Sequence, residues 1–376
     1  MRIAIDARAA AEVPAGRGRY VRELLRGLAR REEDHEYLLY ARTPWLDGEL
    51  DGRFRWVTPN APGLSWPLAA GLAMSRRADV ALACTSYAMT LPWRIPGAVI
   101  VWDFAPFDRA LQPPRGSLLE RLTLPVAIRR GSEFVAISNA TGAELNARYP
   151  RSSSRTVIAQ PAADASFRPG PVAGDDEVLR RLGVRGPYVL VTATLEPRKN
   201  LSRLIEAFAG LPADVRGDWT LLLAGARGWQ TDPMLAEVAR HADLVRALGY
   251  VSEHDLPALY RGAELFCYVS LYEGFGIPVL EAMQSGTAVL TSSVSSMPEV
   301  GGDAVRYANP LDIEDIRRGI AELLLDEQAR ARYAAAGPPR AALFDWDRTA
   351  ATVLGVLERL PKGPRRRRRG WPVTPA

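Results

Sequence analysis

Short apolar runs alternate with longer amphipathic stretches from the first residue onward, and this alternation stops once and then starts again. Runs such as Arg2-Ile3-Ala4-Ile5-Asp6 and Tyr188-Val189-Leu190-Val191 read as strands, and the stretches between them as helices. Strand-helix units of this kind build a parallel sheet covered on both faces, so the fold class is α/β. The spacing predicts strands at 2–6, 36–41, 54–58, 79–83, 98–103, 133–137 and 155–159, with a helix over about 17–31 after the first. A stretch rich in Pro, Gly and Asp, from Pro161 to Asp176, interrupts the pattern. Beyond it, strands are expected near 187–193, 218–224, 245–249, 264–268, 287–291 and 304–307. The restart marks a domain boundary, and 376 residues exceed what one core usually serves. The chain therefore divides into a domain over 1–165, a second over 171–340, a last amphipathic segment over 341–360 and a tail over 361–376. Gly337-Pro338-Pro339 reads as a turn before a final helix at about Asp347 to Leu360, and the Pro- and Arg-rich tail reads as disordered.

Hydrophobic residues at 47% and charged residues at 24% exclude a disordered or fibrous chain. No charged-then-apolar leader precedes the first strand, and no apolar run approaches bilayer-spanning length, so a cytoplasmic protein is expected. Cys84 and Cys267 are too few for a disulfide framework or a thiolate metal site, and His35, His241 and His254 lack ligand spacing. The net charge of +5 belongs to the tail: Lys362 and Arg365 to Arg369 contribute +6, leaving 5 − 6 = −1 for the rest. A near-neutral body argues against a nucleic-acid partner. The tail run followed by Trp371, with Arg19, Arg22, Arg26 and Arg30 at helical spacing, suits a peripheral site on an anionic membrane; a solvated tail is the alternative. Outside the tail there is one lysine, Lys199, in a body that otherwise uses arginine.

Three stretches could carry chemistry. Gly16-Arg17-Gly18-Arg19-Tyr20 places a glycine pair between the first strand and first helix, where backbone amides can approach a phosphate; a flexible loop is the equal alternative. Its spacing is not the dinucleotide fingerprint. Arg198-Lys199 follows the strand at 187–193 and precedes Asn200, a plausible helix N-cap. A guanidinium beside an ammonium at the carboxyl end of a parallel strand suits a diphosphate, one as a planar fork and the other as a point charge. The alternative is a solvated loop. Glu273-Gly274-Phe275-Gly276-Ile277-Pro278-Val279-Leu280-Glu281 separates two carboxylates by a glycine loop and the first turn of a helix opened by Pro278. Carboxylates accept from vicinal hydroxyls and amides donate to sugar oxygens or phosphate, which is the mixture a sugar diphosphate requires. A capped glycine turn is the bland reading.

On Glu273-Gly274-Phe275-Gly276 with Glu281, Ser296-Met297-Pro298-Glu299-Val300 and Glu196 to Asn200, the chain resembles the family four retaining glycosyltransferases over nearly its whole length to about residue 360. The closest look is to bacterial mannosyltransferases that use GDP-mannose. The resemblance implies the GT-B fold: two facing Rossmann-like domains, a deep cleft between them, and a C-terminal helix crossing back to the first. It implies an acceptor-binding first domain and a donor-binding second one. Arg198 and Lys199 would hold the donor diphosphate, Glu273 would lie against the sugar and Glu281 would bind the ribose. Gly274, Phe275, Gly276 and Ile277 would bring backbone to the sugar, Gly16 and Gly18 would lie beside the diphosphate, and the base would sit near Tyr250-Val251. Many members carry His-Asp where this chain has Trp102-Asp103, so a 6-deoxy sugar such as rhamnose, carried on dTDP, is an alternative donor; a UDP-sugar is another. Asp103 is a candidate acceptor contact or base, or a loop cap. Ala193-Thr194 stands where many carry Gly-Arg, and Gln160-Pro161-Ala162-Ala163-Asp164 where many carry Asn-Gly-Val-Asp.

The implied reaction transfers a hexosyl group, mannose foremost, to a glycan or lipid-linked acceptor without metal or other cofactor. The donor β-phosphate would take the acceptor proton, leaving Arg198, Lys199 and helix amides to stabilise the departing diphosphate. Asp345-Trp346-Asp347 matches a metal-binding Asp-x-Asp, but Asp347 reads better as the N-cap of the last helix. A same-fold epimerase or phosphorylase and an RNA-binding or scaffold protein are the rival readings.

Overall fold

A computed structural model describes residues 1–12, 16–45, 50–108, 111, 114–361 and 374–375. It divides into two compact units, Met1–Pro161 with Asp345–Ala376, and Ala162–Phe344. In the first, β1 (Arg2–Asp6), β2 (Glu36–Tyr40), β3 (Phe54–Val57), β4 (Val80–Ala83), β5 (Gly97–Val101), β6 (Glu133–Ala136) and β7 (Thr156–Ile158) form a parallel sheet ordered β3-β2-β1-β4-β5-β6-β7. In the second, β8 (Tyr188–Thr192), β9 (Thr220–Ala224), β10 (Val245–Gly249), β11 (Leu265–Tyr268), β12 (Ala288–Ser292) and β13 (Arg306–Ala308) form a parallel sheet ordered β10-β9-β8-β11-β12-β13.

Every strand the alternation predicts is present, with ends shifted by at most two residues. The central strands are buried throughout, as a sheet covered on both faces requires: Val189, Leu190 and Leu265 are fully buried, as are Ile3 and Ile5. In each sheet the strand order reverses direction, between β1 and β4 and between β8 and β11. Such switch points open a crevice at the carboxyl ends of the strands, where ligands bind in open α/β sheets.

The structure corrects the sequence reading of the elements themselves in three places. Gly16 and Gly18 lie in the first turn of the helix Gly16–Ala29 rather than in a loop before it, and a short helix, Arg8–Glu12, comes first. Gly337-Pro338-Pro339 lies inside the helix Glu327–Ala341. The prolines fall in its last turns, and Gly337 allows close approach to the helix Ile277–Gln284: a Cβ there would sit 2.7 Å from the Met283 carbonyl oxygen. In the tail expected to be disordered, Thr374–Pro375 forms β14, antiparallel to β3. The edge strand β3 has unpaired backbone groups that recruit such a partner. Residues 362–373 and 376, Arg365 to Arg369 included, lie outside the described residues.

The last helix, Trp346–Arg359, belongs to the first unit. It buries Trp346, Ala350, Val353, Leu354 and Leu357 and packs on Gly16–Ala29, where Gly27 leaves no room for a side chain beside Ala350.

Candidate functional site

The β8–β11 switch point gathers most of the residues singled out in the sequence. After β8 the chain passes through a short 3-10 turn, Pro197–Lys199, into the helix Leu201–Ala209. Asn200 stands at the N-cap position with φ 60°, a left-handed conformation that Asn tolerates better than most residues. Its side chain does not cap. Instead the buried Nδ2 donates to the carbonyls of Val269 at 3.0 Å and Pro310 at 2.6 Å, tying this turn to the loop after β11.

That tie brings Arg198 and Lys199 onto Glu273. The Arg198 guanidinium donates to Glu273 Oε2 at 2.8 Å, to the Tyr272 carbonyl at 2.9 Å and to Glu196 Oε1 at 2.8 Å. Lys199 Nζ donates to Glu273 Oε1 at 2.7 Å and to the Tyr268 hydroxyl at 2.8 Å, and that hydroxyl donates to Glu273 Oε1 at 3.0 Å. Burial by itself would push the Glu273 carboxyl up, but the Arg198 and Lys199 charges outweigh it and hold the group at about 2. Burial, opposed by Glu273, lowers the Lys199 ammonium. Two cations thus face two carboxylates, Glu196 and Glu273, and both cations are paired. Tyr268 and Glu196 were not foreseen as members of the cluster. The signal for Tyr268 was its place, the last residue of a strand ending at the switch point.

The glycine loop is held from behind. Ser296 Oγ donates to the carbonyls of Glu273 at 3.0 Å and Phe275 at 2.7 Å, and Ser295 also bonds the Glu273 carbonyl. The Phe275 ring is buried edge-on against Phe344, with centroids 5.5 Å apart, so its side chain anchors the loop. Gly276 has φ 116°, which disfavours any side chain, and begins the helix Ile277–Gln284 with half-buried Ile277 and then Pro278 in its first turn. Gly274 and Gly276 therefore lie at the positive end of that helix. Glu281, one turn in and buried, accepts from the Tyr260 hydroxyl at 2.8 Å. The same hydroxyl bonds Thr192 at the end of β8. Tyr250 and Val251 follow β10, the sheet edge two strands from β8; Tyr250 is 61% exposed and Val251 buried.

The first unit holds a separate cluster. Arg17, between Gly16 and Gly18, lies 3.9 Å from Asp103 Oδ2 and 3.8 Å from Glu120 Oε1, with its guanidinium 5.7 Å from the Trp102 ring centroid. Asp103 Oδ1 also accepts from the Ala105 amide at 3.0 Å, the contact that the loop-cap reading expects. Burial raises the Glu120 carboxyl, Arg17 opposes the rise and the Asp103 charge adds to it. Trp102 is core: its Nε1 donates to the Cys84 carbonyl at 2.6 Å and its ring meets Tyr20 edge-on at 5.1 Å. Glu120 escaped the sequence reading, although it is the one acid on the stripe that continues as buried Leu124 and Ala127. The Asp-x-Asp is occupied by the protein itself. Asp345, not Asp347, caps the last helix at 2.7 Å from the Arg348 amide, and Asp347 pairs with Arg30 at 2.6 Å.

Residues 180–340 match the model of the family described as Glycosyl transferases group 1. This stretch is a glycosyl transferases group 1 domain. The group 1 domain contains the whole Arg198–Lys199–Glu273 cluster together with Glu281. The chain is 36% identical over 231 residues to O-antigen chain mannosyltransferase B of Escherichia coli, covering 60% of each chain. It is 36% identical over 177 residues to the serotype-specific mannosyltransferase WbdA of Escherichia coli, covering 46% of this chain and 22% of that one. The match thus spans 60% of the length of the first relative and about a fifth of the second. Among solved structures, Anabaena HepE in complex with UDP and glucose superposes with a TM-score of 0.76 at 19% identity, over 96% of this chain and 99% of that one. That likeness shows the fold, GT-B, on which the group 1 domain is the second of two units.

Proposed function

We propose that the chain is a retaining, metal-independent hexosyltransferase that takes mannose from GDP-mannose and passes it to a glycan or lipid-linked acceptor. The observation that carries this reading is the Arg198–Lys199–Glu273 cluster at the carboxyl ends of β8 and β11. A guanidinium fork and an ammonium within reach of one carboxylate suit a nucleoside diphosphate, and the helix end at Gly276 adds partial positive charge. Mannose as the sugar is supported by relatives named mannosyltransferases at 36% identity. Glu281, anchored by Tyr260, is suited to accept from a ribose hydroxyl, and Tyr250-Val251 to flank the base.

In this mechanism the departing diphosphate carries the developing charge, and Arg198 and Lys199 meet it without a metal ion. Glu273 positions both cations and offers its carboxylate to a sugar hydroxyl. The acceptor proton passes to the donor phosphate, so no protein nucleophile enters the sequence. Arg17, Asp103 and Glu120 are assigned to the acceptor hydroxyl, with Gly16 and Gly18 framing Arg17. A second reading, transfer of a 6-deoxy sugar such as rhamnose, rests on Trp102 in place of a polar residue.

The test is thermal stabilisation by GDP, UDP, dTDP, ADP and their sugar conjugates, repeated on Glu281→Ala and Lys199→Ala. A selective shift with GDP-mannose, weakened in both variants, is expected. A selective shift with dTDP-rhamnose would move the donor to the second reading, and no shift with any nucleotide would overturn the transferase reading.

A further inference from the structure

Among the described residues of the first unit, large apolar side chains are exposed on two helices alone. Leu68 and Leu72 on Trp66–Arg77 are 43% and 39% exposed; Leu118, Leu119 and Leu122 on Pro114–Arg129 are 59%, 38% and 62% exposed. Both helices pack against the 3-10 turn Tyr87–Thr90. Each also buries an ordinary apolar stripe inward, with Trp66, Ala70 and Met74 on one and Leu124, Ala127 and Ile128 on the other. The outward leucines are therefore a second apolar face that the fold does not need.

At about 100° per residue, Leu68, Leu72 and Arg76 share one stripe, and so do Leu118, Leu122 and Arg129. Each helix presents two exposed leucines and then an exposed arginine on the same line. Exposed Arg94 adds further positive charge, whereas Arg130 donates to the carbonyls of Thr90 and Leu91. The one acid of 118–130, Glu120, faces Arg17 instead. Three arginines of the basic helix face expected from Arg19, Arg22, Arg26 and Arg30 are taken up within the unit. Arg22 donates to the Ala10 carbonyl, Arg26 pairs with Glu23 and lies over Trp45, and Arg30 binds Asp347.

We infer that the helices Trp66–Arg77 and Pro114–Arg129 dock the first unit onto an anionic lipid bilayer. The leucines enter the boundary between headgroups and acyl chains, roughly 5–10 Å deep, while the arginines reach back to lipid phosphates. Charge complementarity selects this occupant. A second copy of the chain meeting this face by two-fold symmetry would set arginines against arginines. Among the described residues no helix is long and apolar enough to cross a membrane, so the contact lies in the plane of the surface.

The experiment is sedimentation of the full chain with vesicles of phosphatidylcholine alone or with added phosphatidylglycerol. Binding to the phosphatidylglycerol vesicles, weakened by salt, is expected, with at least a tenfold fall in partitioning for the double variant Leu72→Gln, Leu122→Gln. Deleting residues 362–376 should reduce binding much less than that pair of substitutions. The double variant should keep its melting temperature and its nucleotide-induced shift, which separates this inference from the donor reading. Three results overturn it: full binding by the double variant, complete loss of binding on tail deletion alone, or a dimer in light scattering that the double variant dissolves.

Discussion

Replacing Glu273 by Gln removes the charge shared by Arg198 and Lys199 while keeping the shape of the side chain. A carboxyl held at about 2 rather than 4.5 contributes, at about 1.4 kcal/mol per pH unit, on the order of 3 kcal/mol to folding. Removing one partner of a buried ion pair is known to cost ~3–5 kcal/mol, which agrees. The second unit holds 344 − 162 + 1 = 183 residues, and for that size each kcal/mol moves the melting temperature by roughly 2–4 °C. The variant's second unit should therefore melt roughly 6–12 °C below the parent at pH 7. The folded carboxyl titrates below its unfolded value, so this stability is complete above about pH 4.5 and is lost as pH falls toward 2. Scanning calorimetry at pH 7 and at pH 3 reads both effects: the gap should narrow at the lower pH. Because the diphosphate replaces the missing negative charge, the tightest-binding nucleotide should stabilise the variant more than the parent. A gap under about 2 °C at pH 7, or one that widens on acidification, would refute the view that Glu273 is the counterion of the cation pair.

Tyr260→Phe removes the hydroxyl that ties Glu281 to Thr192 and should weaken nucleotide binding about tenfold by calorimetric titration, with a stability loss near 1–3 kcal/mol. Glu120→Gln should leave the melting temperature at pH 7 unchanged or raised, because a carboxyl with a raised pKa contributes its stability at low pH and loses it as pH rises. The same variant should lose at least tenfold in acceptor-dependent turnover while retaining donor binding, a combination that ordinary packing damage does not produce. Gly337→Ala forces a methyl toward the Met283 carbonyl and should cost ~1–3 kcal/mol in chemical denaturation, whereas Gly170→Ala, with open space around it, should show only the cost of its positive φ.

The strands were legible because a sheet covered on both faces leaves an apolar run at every strand, as at Tyr188 to Val191, regardless of what lies nearby. Arg198, Lys199 and Glu273 were legible for another reason: two cations and a glycine-flanked acid each followed a strand that had already been placed. Their mutual pairing was not, since it depends on β8 and β11 being neighbours, which no local pattern encodes. Asn200 shows the limit of capping rules. Its position was right, but the Oδ1 that would accept from a helix-start amide accepts from Arg203 at 2.9 Å, while Nδ2 donates to the carbonyls of Val269 and Pro310. Gly337-Pro338-Pro339 misled because turn propensity is read locally, while the Gly337 position is set by a helix more than forty residues earlier in the chain. Glu120 was hidden among apolar neighbours, and only the fold brings Arg17 to it.

The first unit is built from two segments, Met1–Pro161 and Asp345–Ala376, and the helix Trp346–Arg359 completes its core. During synthesis the helix Gly16–Ala29 emerges early, yet the partner that covers it follows only after the 183 residues between Ala162 and Phe344 have been made. At typical elongation rates that delay is roughly ten to forty seconds. The second unit has its own continuous sequence and can fold during this interval, while Tyr20 still lacks its contact with Trp346. The expected order of assembly on the ribosome is then group 1 domain before the unit that Trp346–Arg359 completes, and a chaperone that shields apolar helix faces would meet this chain chiefly at the helix Gly16–Ala29.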